Sequence, residues 1–194
     1  MKYIIGIDEV GRGPIAGPVA VCVCAIPKTF YKKQDWRGLT DSKKMTAKSR
    51  ELWYQKARDL KKKGLINYSV IYRSNIFIDK KGISIAIKEC INEGLEKLNL
   101  NPKDCEVLLD GSLKAPLEYK NQKTFIKGDQ SQKIISLASV VAKVSRDKKM
   151  ELLHKKYPKY NWVQNKGYGT KDHYKAIKKY KITNLHRKTF LTSY

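Results

Sequence analysis

Apolar and polar positions follow two rhythms along this chain, and the switches between them mark out its elements. Ile4 to Asp8 is an apolar run that reads as a strand. It ends in two adjacent carboxylates, Asp8 and Glu9, and then the turn Gly11-Arg12-Gly13-Pro14. Val19 to Ile26 is apolar without interruption, a strand buried on both faces and ended by Pro27. Lys28 to Gly38 is polar with scattered rings and reads as a loop. A helical rhythm follows Thr46, a capping residue, and runs to about Lys63. Trp53, Ala57 and Leu60 share its inner face, and Gly64 stops it. Leu65 to Tyr72 alternates as a half-exposed strand. Ser74 to Ile78 reads as a loop or a single turn. Asp79 to Leu98 reads as one helix, striped by Ile83, Ile87, Ile91, Leu95 and Leu98.

The second half repeats the opening in miniature. After a turn at Asn99 to Asp104, Glu106 to Leu109 forms a short strand that runs into Asp110-Gly111. A loop leads to a further short strand, Lys123 to Lys127, followed by Gly128-Asp129. A long helix is predicted from Ser131 to about His154. Ile134, Leu137, Val141 and Val144 form its apolar face, and Ser136, Ala138, Ser139 and Ala142 are small enough to let it lie close against a sheet. Beyond Tyr157-Pro158 the chain becomes basic and aromatic. Thr170 caps a last helix with Tyr174 and Ile177 facing inward. No repeat or linker breaks the chain. The expectation is an α/β fold, a mixed sheet of about five strands flanked by helices, with residues 1–155 as the core and 156–194 as a helical extension of it.

Composition narrows the function. With 41% apolar residues in 194, the chain can bury a sizeable core. No apolar run is long enough to span a membrane, and Met1-Lys2-Tyr3 leads into a strand without a cleavage site, so the expected location is the cytoplasm. The net charge is +23, from 41 basic and 18 acidic residues. Such a field attracts polyanions, and nucleic acid is the commonest. Cys22 and Cys24 fall on one face of a strand, which is not a zinc-knuckle geometry; with Cys90 and Cys105 they are expected as buried free thiols. Of the three histidines, His154 is expected at the surface, while His173 and His186 suit packing or a phosphate contact equally.

Within so basic a chain the acids stand out. Three strand ends carry them: Asp8-Glu9, Asp110 and Asp129. Gathered at one sheet edge, four carboxylates are about what two Mg²⁺ ions need beside water and phosphate oxygens. Two such ions, about 4 Å apart, can activate water and stabilise the leaving oxygen in phosphodiester hydrolysis. Without them the cluster repels itself and at least one acid should hold a raised pKa. Alternation sends Asp8 and Glu9 to opposite faces, so one of them must reach the ions after the strand has broken, or offer a backbone oxygen.

The order of motifs resembles the ribonuclease HII family. The motifs are Gly6-Ile7-Asp8-Glu9-Val10-Gly11-Arg12-Gly13-Pro14 through Pro18, Leu39-Thr40-Asp41-Ser42-Lys43-Lys44, Asp110-Gly111, and Lys127-Gly128-Asp129 leading to Ser136 through Val144. Lys166-Gly167-Tyr168-Gly169-Thr170 with His173, and His186 through Phe190, complete them. The resemblance implies the ribonuclease H-like fold. It also implies an endonuclease that cuts the RNA strand of RNA–DNA hybrids and cuts on the 5′ side of single ribonucleotides in duplex DNA, leaving 3′-hydroxyl and 5′-phosphate ends. Asp8, Glu9, Asp110 and Asp129 would then be the catalytic, metal-binding acids, with Mg²⁺ or Mn²⁺ as cofactor. Gly11, Arg12 and Gly13 would read the ribose 2′-OH, Tyr168 would stack on the following deoxyribose, and Thr40, Ser42, Lys43 and Lys143 would lie near phosphates. Asp41 receives no ligand role. The related HIII type differs by a long N-terminal domain and a Glu as fourth acid, where this chain has Asp129. The C-terminal Thr189 to Tyr194 shows no clamp-binding motif, and a monomer without an obligate protein partner is expected. Two other readings share the basic shell: a non-catalytic hybrid-binding protein, and a nuclease for DNA alone.

Overall fold

In the computed structural model, whose described residues are 1–191, strand β1 (Tyr3–Val10) is central. Antiparallel β2 (Val19–Pro27) and β3 (Asn67–Arg73) lie to one side of it; parallel β4 (Cys105–Asp110) and β5 (Gln122–Phe125) lie to the other. The order β3-β2-β1-β4-β5 is the mixed five-stranded sheet that the pattern predicts.

Period-two alternation sorts the strand residues onto two cores. Ile5, Ile7, Val21, Val23 and Val107 pack on one face with helix α4 (Ile83–Leu98). Ile4, Cys22, Cys24, Ile26 and Leu108 pack on the other, against α6 (Lys133–Lys156) and α2 (Ala47–Lys62). Strand β2 is therefore covered on both faces, and all four cysteines are buried free thiols. Each fully buried Ile contributes about 1.5–3 kcal/mol. The small residues of α6 are buried at its contact with the sheet, as their size suggested.

Several boundaries differ from the reading of the sequence. Lys28–Lys33 is a short helix, α1, because Phe30 and Tyr31 find apolar cover that the polar local sequence conceals. The single helix read from Asp79 is two. Helix α3 (Asn75–Lys81) starts earlier, where the Ser74 hydroxyl accepts from the Phe77 amide, and Gly82 ends it at φ +85°, a conformation that favours glycine. β3 begins two residues later than Leu65, because the Leu65 amide still bonds back to Leu60. β5 ends at Phe125, so Asp129 lies not at a strand end but in the single turn α5 (Gly128–Ser131).

The tail builds its own small core. Short α7 (Trp162–Asn165) and α8 (Lys171–Tyr180) enclose Trp162, Tyr160 and Ile177 together with Ile15, Ala16 and Met150 of the main body. Thr170 caps α8 as expected, accepting from the His173 amide. His154 is partly buried rather than at the surface. Among the described residues no helix is long and apolar enough to cross a membrane. Thr192, Ser193 and Tyr194, part of the stretch read for a clamp motif, lie outside the described residues.

Candidate active site

Register gathers the acids. The parallel β1–β4 ladder runs to Ile7 opposite Leu109. The next residues, Asp8 and Asp110, therefore reach the end of the sheet side by side. By alternation both face α6, as do Ile4 and Leu108. The turn α5, which feeds α6, brings Asp129 to the same end. A cavity of about 300 Å³ is lined there by Asp8, Glu9, Asp110 and Asp129, with Ser42, Lys43, Ser139, Lys143 and Tyr168 around them.

The hydrogen bonds hold these acids in a fixed frame. An Asp8 carboxylate oxygen accepts from the Glu9 amide at 2.8 Å, and the Ser139 hydroxyl also bonds to Asp8. Ser139 in turn bonds Ser42 at 2.8 Å, which ties the Leu39–Lys44 loop to α6. Asp110 accepts from the Gly128 amide at 2.7 Å, so the end of β4 clamps the start of α5. The Ser136 hydroxyl donates to the Asp129 carbonyl. β1 does not break between Asp8 and Glu9; it continues to Val10. Glu9 instead leaves on the opposite side, where Arg12 sits 3.3 Å from its carboxylate, and the cavity wraps around the strand end to reach both acids.

Burial and like charge outweigh the cations around these acids. Burial, then the charge of Glu9, pushes Asp8 well above the usual carboxylate range, with Asp110 and Asp129 adding to it. Glu9 is raised by burial against the opposing pull of Arg12. Asp129 is pushed up to about 6 by burial and by neighbouring Asp41. The raised acid expected of a self-repelling cluster is therefore present. Among the described residues no three carboxylate, imidazole or thiolate groups already converge tightly enough to hold an ion. Asp8 and Asp110 are instead each held by a backbone amide, Glu9 by Arg12 and Asp129 by Asp41. The donor set is nonetheless hard oxygen, anionic and half-buried at one cavity, which fits a divalent cation such as Mg²⁺ or Mn²⁺.

The other expected residues divide. Lys43 and Lys143 line the cavity, Lys143 paired with Asp147 at 2.9 Å. Tyr168 is 41% exposed at the mouth, and Gly13 lies beside its ring. Ser42 lines the cavity but is buried and bonded to Ser139, which leaves little of it for a phosphate. Thr40 is only partly exposed and does not line the cavity. His173 and His186 are buried in the tail core. His173 accepts from the Trp162 indole at 3.0 Å and bonds the Tyr168 carbonyl at 2.8 Å, and its other neighbour is His186 at 3.2 Å. That is packing, not phosphate contact.

A family model described as Ribonuclease HII matches residues 5–193. The chain belongs to the ribonuclease HII family. Its relatives include the ribonuclease HII of Prochlorococcus marinus strain MIT 9515, 43% identical over 97% of this chain and 87% of that one. Among solved structures, ribonuclease HII in a PCNA complex from Archaeoglobus fulgidus has the same fold, with a TM-score of 0.75 at 23% identity over 95% of this chain and 93% of that one. Bst-RNase HIII in complex with Mn²⁺ is similar over 91% of this chain and 69% of its own, with a TM-score of 0.65 at 16% identity. This member of the ribonuclease HII family is accordingly a nuclease.

Three residues escaped the reading of the sequence as parts of the site. Ser139 is one, taken only as a small packing residue. Arg146 and Arg187 are the others, both fully buried beneath the Gly11–Pro18 turn. A signal existed for Arg146: it sits between Ala142 and Met150 at helical spacing, on a buried face. Asp41 is buried beside Asp129 and accepts from the Lys43 amide and from Gln130, so it acts on the cluster from behind.

Proposed function

We propose that this protein is an endoribonuclease that hydrolyses the RNA strand of RNA–DNA hybrids and cuts on the 5′ side of single ribonucleotides within duplex DNA, leaving 3′-hydroxyl and 5′-phosphate ends. The observation that carries this is the meeting of four acids in one cavity that Tyr168 also lines, with Gly13 of the Gly-Arg-Gly turn beside the Tyr168 ring. Residues 1–155 supply the catalytic core, and 156–194 supply the extension that carries Tyr168 to it.

Asp8, Glu9, Asp110 and Asp129 are the residues that would hold two divalent ions, Mg²⁺ or Mn²⁺. Bound there, such ions supply an activated water and a charge clamp on the leaving oxygen. The protein's own groups do the rest. Lys43 and Lys143 offer charge to phosphates at the cavity wall, with Ser42 and Thr40 on the loop that carries Lys43. The peptide groups of Gly11, Arg12 and Gly13 both donate and accept, which matches a ribose 2′-OH. Tyr168 presents an exposed ring to the next sugar, where a second 2′-OH would collide. The net charge of +23 draws the duplex in.

One assay tests the reading. Three duplexes are incubated with Mg²⁺ or with chelator: one with a single ribonucleotide, one full hybrid, one all DNA. Cutting of the first two, dependent on the metal, is expected. Cutting of the all-DNA duplex would favour a DNA nuclease, and no cutting of any would favour a binding protein.

A further inference from the structure

The Gly11–Pro18 turn is held from beneath by two arginines that never reach solvent. Arg146, from α6, and Arg187, from the tail, are both 0% exposed. Neither is in an ion pair among the described residues. Among the described residues their six side-chain hydrogen bonds all go to backbone carbonyls. Arg187 donates to Gly11 at 2.7 Å, Arg12 at 2.9 Å and Gly17 at 3.0 Å. Arg146 donates to Pro18 at 2.9 Å, Ala16 at 3.4 Å and Lys166 at 2.9 Å, the last at the approach to Tyr168.

Burying an unpaired guanidinium is expensive, and stability alone does not call for it, since apolar residues of similar volume often serve a core as well or better. Burial, followed by the repulsion of Arg146, lowers Arg187 to about 9, a measure of what the arrangement costs. What the two forks do deliver is a fixed backbone. A guanidinium presents its donors in one rigid plane, so three carbonyls bound to one fork cannot move independently. The space is also closed. A Cβ on Gly11 would lie 2.1 Å from the Arg146 Nε, so the turn is seated directly on that side chain. The tail completes the seat, with the Arg187 amide donating to Ile15 and the Gly17 amide donating to Leu185.

We infer that Arg146 and Arg187 are positioning residues for ribose recognition: together they set the backbone of Gly11 and Arg12, and so the entry to Gly13, in the conformation that meets the 2′-OH. This rests on the proposal that the turn reads the ribose. Because Arg187 lies far along the chain, the tail also becomes part of the recognition device and not only an added surface. A misplacement of about 1 Å can cost on the order of a hundredfold in rate, and a lysine at either position keeps the charge but loses the fork.

Arg187→Lys and Arg146→Lys are made separately and assayed well below each variant's own melting midpoint. The expected result is a fall of about a hundredfold in kcat/KM on the single-ribonucleotide duplex, while affinity for the all-DNA duplex changes less than about threefold. Unchanged kcat/KM, or a loss that merely follows DNA affinity, would overturn the inference. Gly13→Val, which leaves both forks in place and puts a branched side chain where the ribose must approach the peptide groups, tests the underlying reading. If it keeps full cleavage, the turn does not sense ribose. If it loses cleavage and the lysine variants keep it, the positioning role alone fails. In the wild-type protein the Nε protons of Arg146 and Arg187 should exchange slowly and be rigid by NMR relaxation. Exchange as fast as that of exposed arginines would sink the inference even if neither variant folds.

Discussion

At the scale of single residues, the acids differ in what they can lose. Asp110 accepts one backbone hydrogen bond, from Gly128, and an Asn oxygen can accept the same bond. Asp110→Asn should therefore fold as well as the wild type, with an equal or higher melting temperature, since one like charge leaves the cluster. Its cleavage with Mg²⁺ should fall at least about a hundredfold, in the range of losing one electrostatic catalytic group, with duplex affinity retained. Persistent cutting would remove the carboxylates from the mechanism. Tyr168 is the opposite case, a ring 41% exposed at the cavity mouth and outside the apolar clusters. Tyr168→Ala should stay within about 0.5 kcal/mol of wild-type stability. It should lose preference for the RNA–DNA junction before it loses binding, and cleavage mapping on a chimeric duplex checks this. The acids and Tyr168 were legible as candidates because a carboxylate after an apolar run and a ring among lysines are local anomalies. Arg187 was not, and Arg146 only by its place on a buried helix face, because an arginine's burial depends on which carbonyls other segments bring to it.

At the scale of elements, caps and breaks decided the boundaries. Thr46 accepts from the Ser49 amide at 3.1 Å, which starts α2 where the pattern places it. Thr46→Ala should lower stability by about 1 kcal/mol, read as a shift in urea midpoint at unchanged slope, with cleavage by the folded enzyme unaffected. The split between α3 and α4 was missed because the apolar stripe begins only at Ile83, so nothing in it marks whether the polar Asp79 to Gly82 belongs to the same helix. Gly82, at positive φ, ends the first helix and caps the second. Helix α1 was missed for the converse reason: its sequence is polar, and the rings that anchor it gain their cover from a distant part of the chain.

For the molecule as a whole, the tail core and the acid cluster respond to pH in opposite directions. His173 and His186 form a ladder with one consistent set of neutral tautomers. His173 Nε2 accepts from the Trp162 indole, and His186 Nδ1 accepts from the Thr183 amide. A second proton on either ring would set donor against donor. His186 is accordingly lowered to about 4 by burial and by His173, and His173 is lowered by burial. An unfolded histidine titrates near 6.5 (about the model-peptide value). As pH falls from there toward 4, the unfolded chain takes up protons that the folded chain refuses, and stability is lost. Asp129, raised to about 6, does the reverse, gaining a proton in the fold before it would in the unfolded chain. In the Asp129→Asn background, the melting temperature should therefore fall more steeply between pH 6.5 and pH 4 than in the wild type. Parallel slopes would mean that these groups do not titrate as their surroundings dictate.

What the sequence determined by itself was whatever neighbours along the chain can impose: the strand and helix periods, the Thr46 and Thr170 caps, the Cys22–Cys24 face, the basic charge, and the four acids as candidates. Tertiary structure decided the rest. Parallel register between β1 and β4 made Asp8 and Asp110 neighbours, and the Asp110–Gly128 bond fixed where Asp129 arrives. The physical reason is separation along the chain. The hydrogen bond from Arg187 to Gly11 joins residues 176 positions apart, and no local preference of either residue encodes such a partner before the sheet has formed.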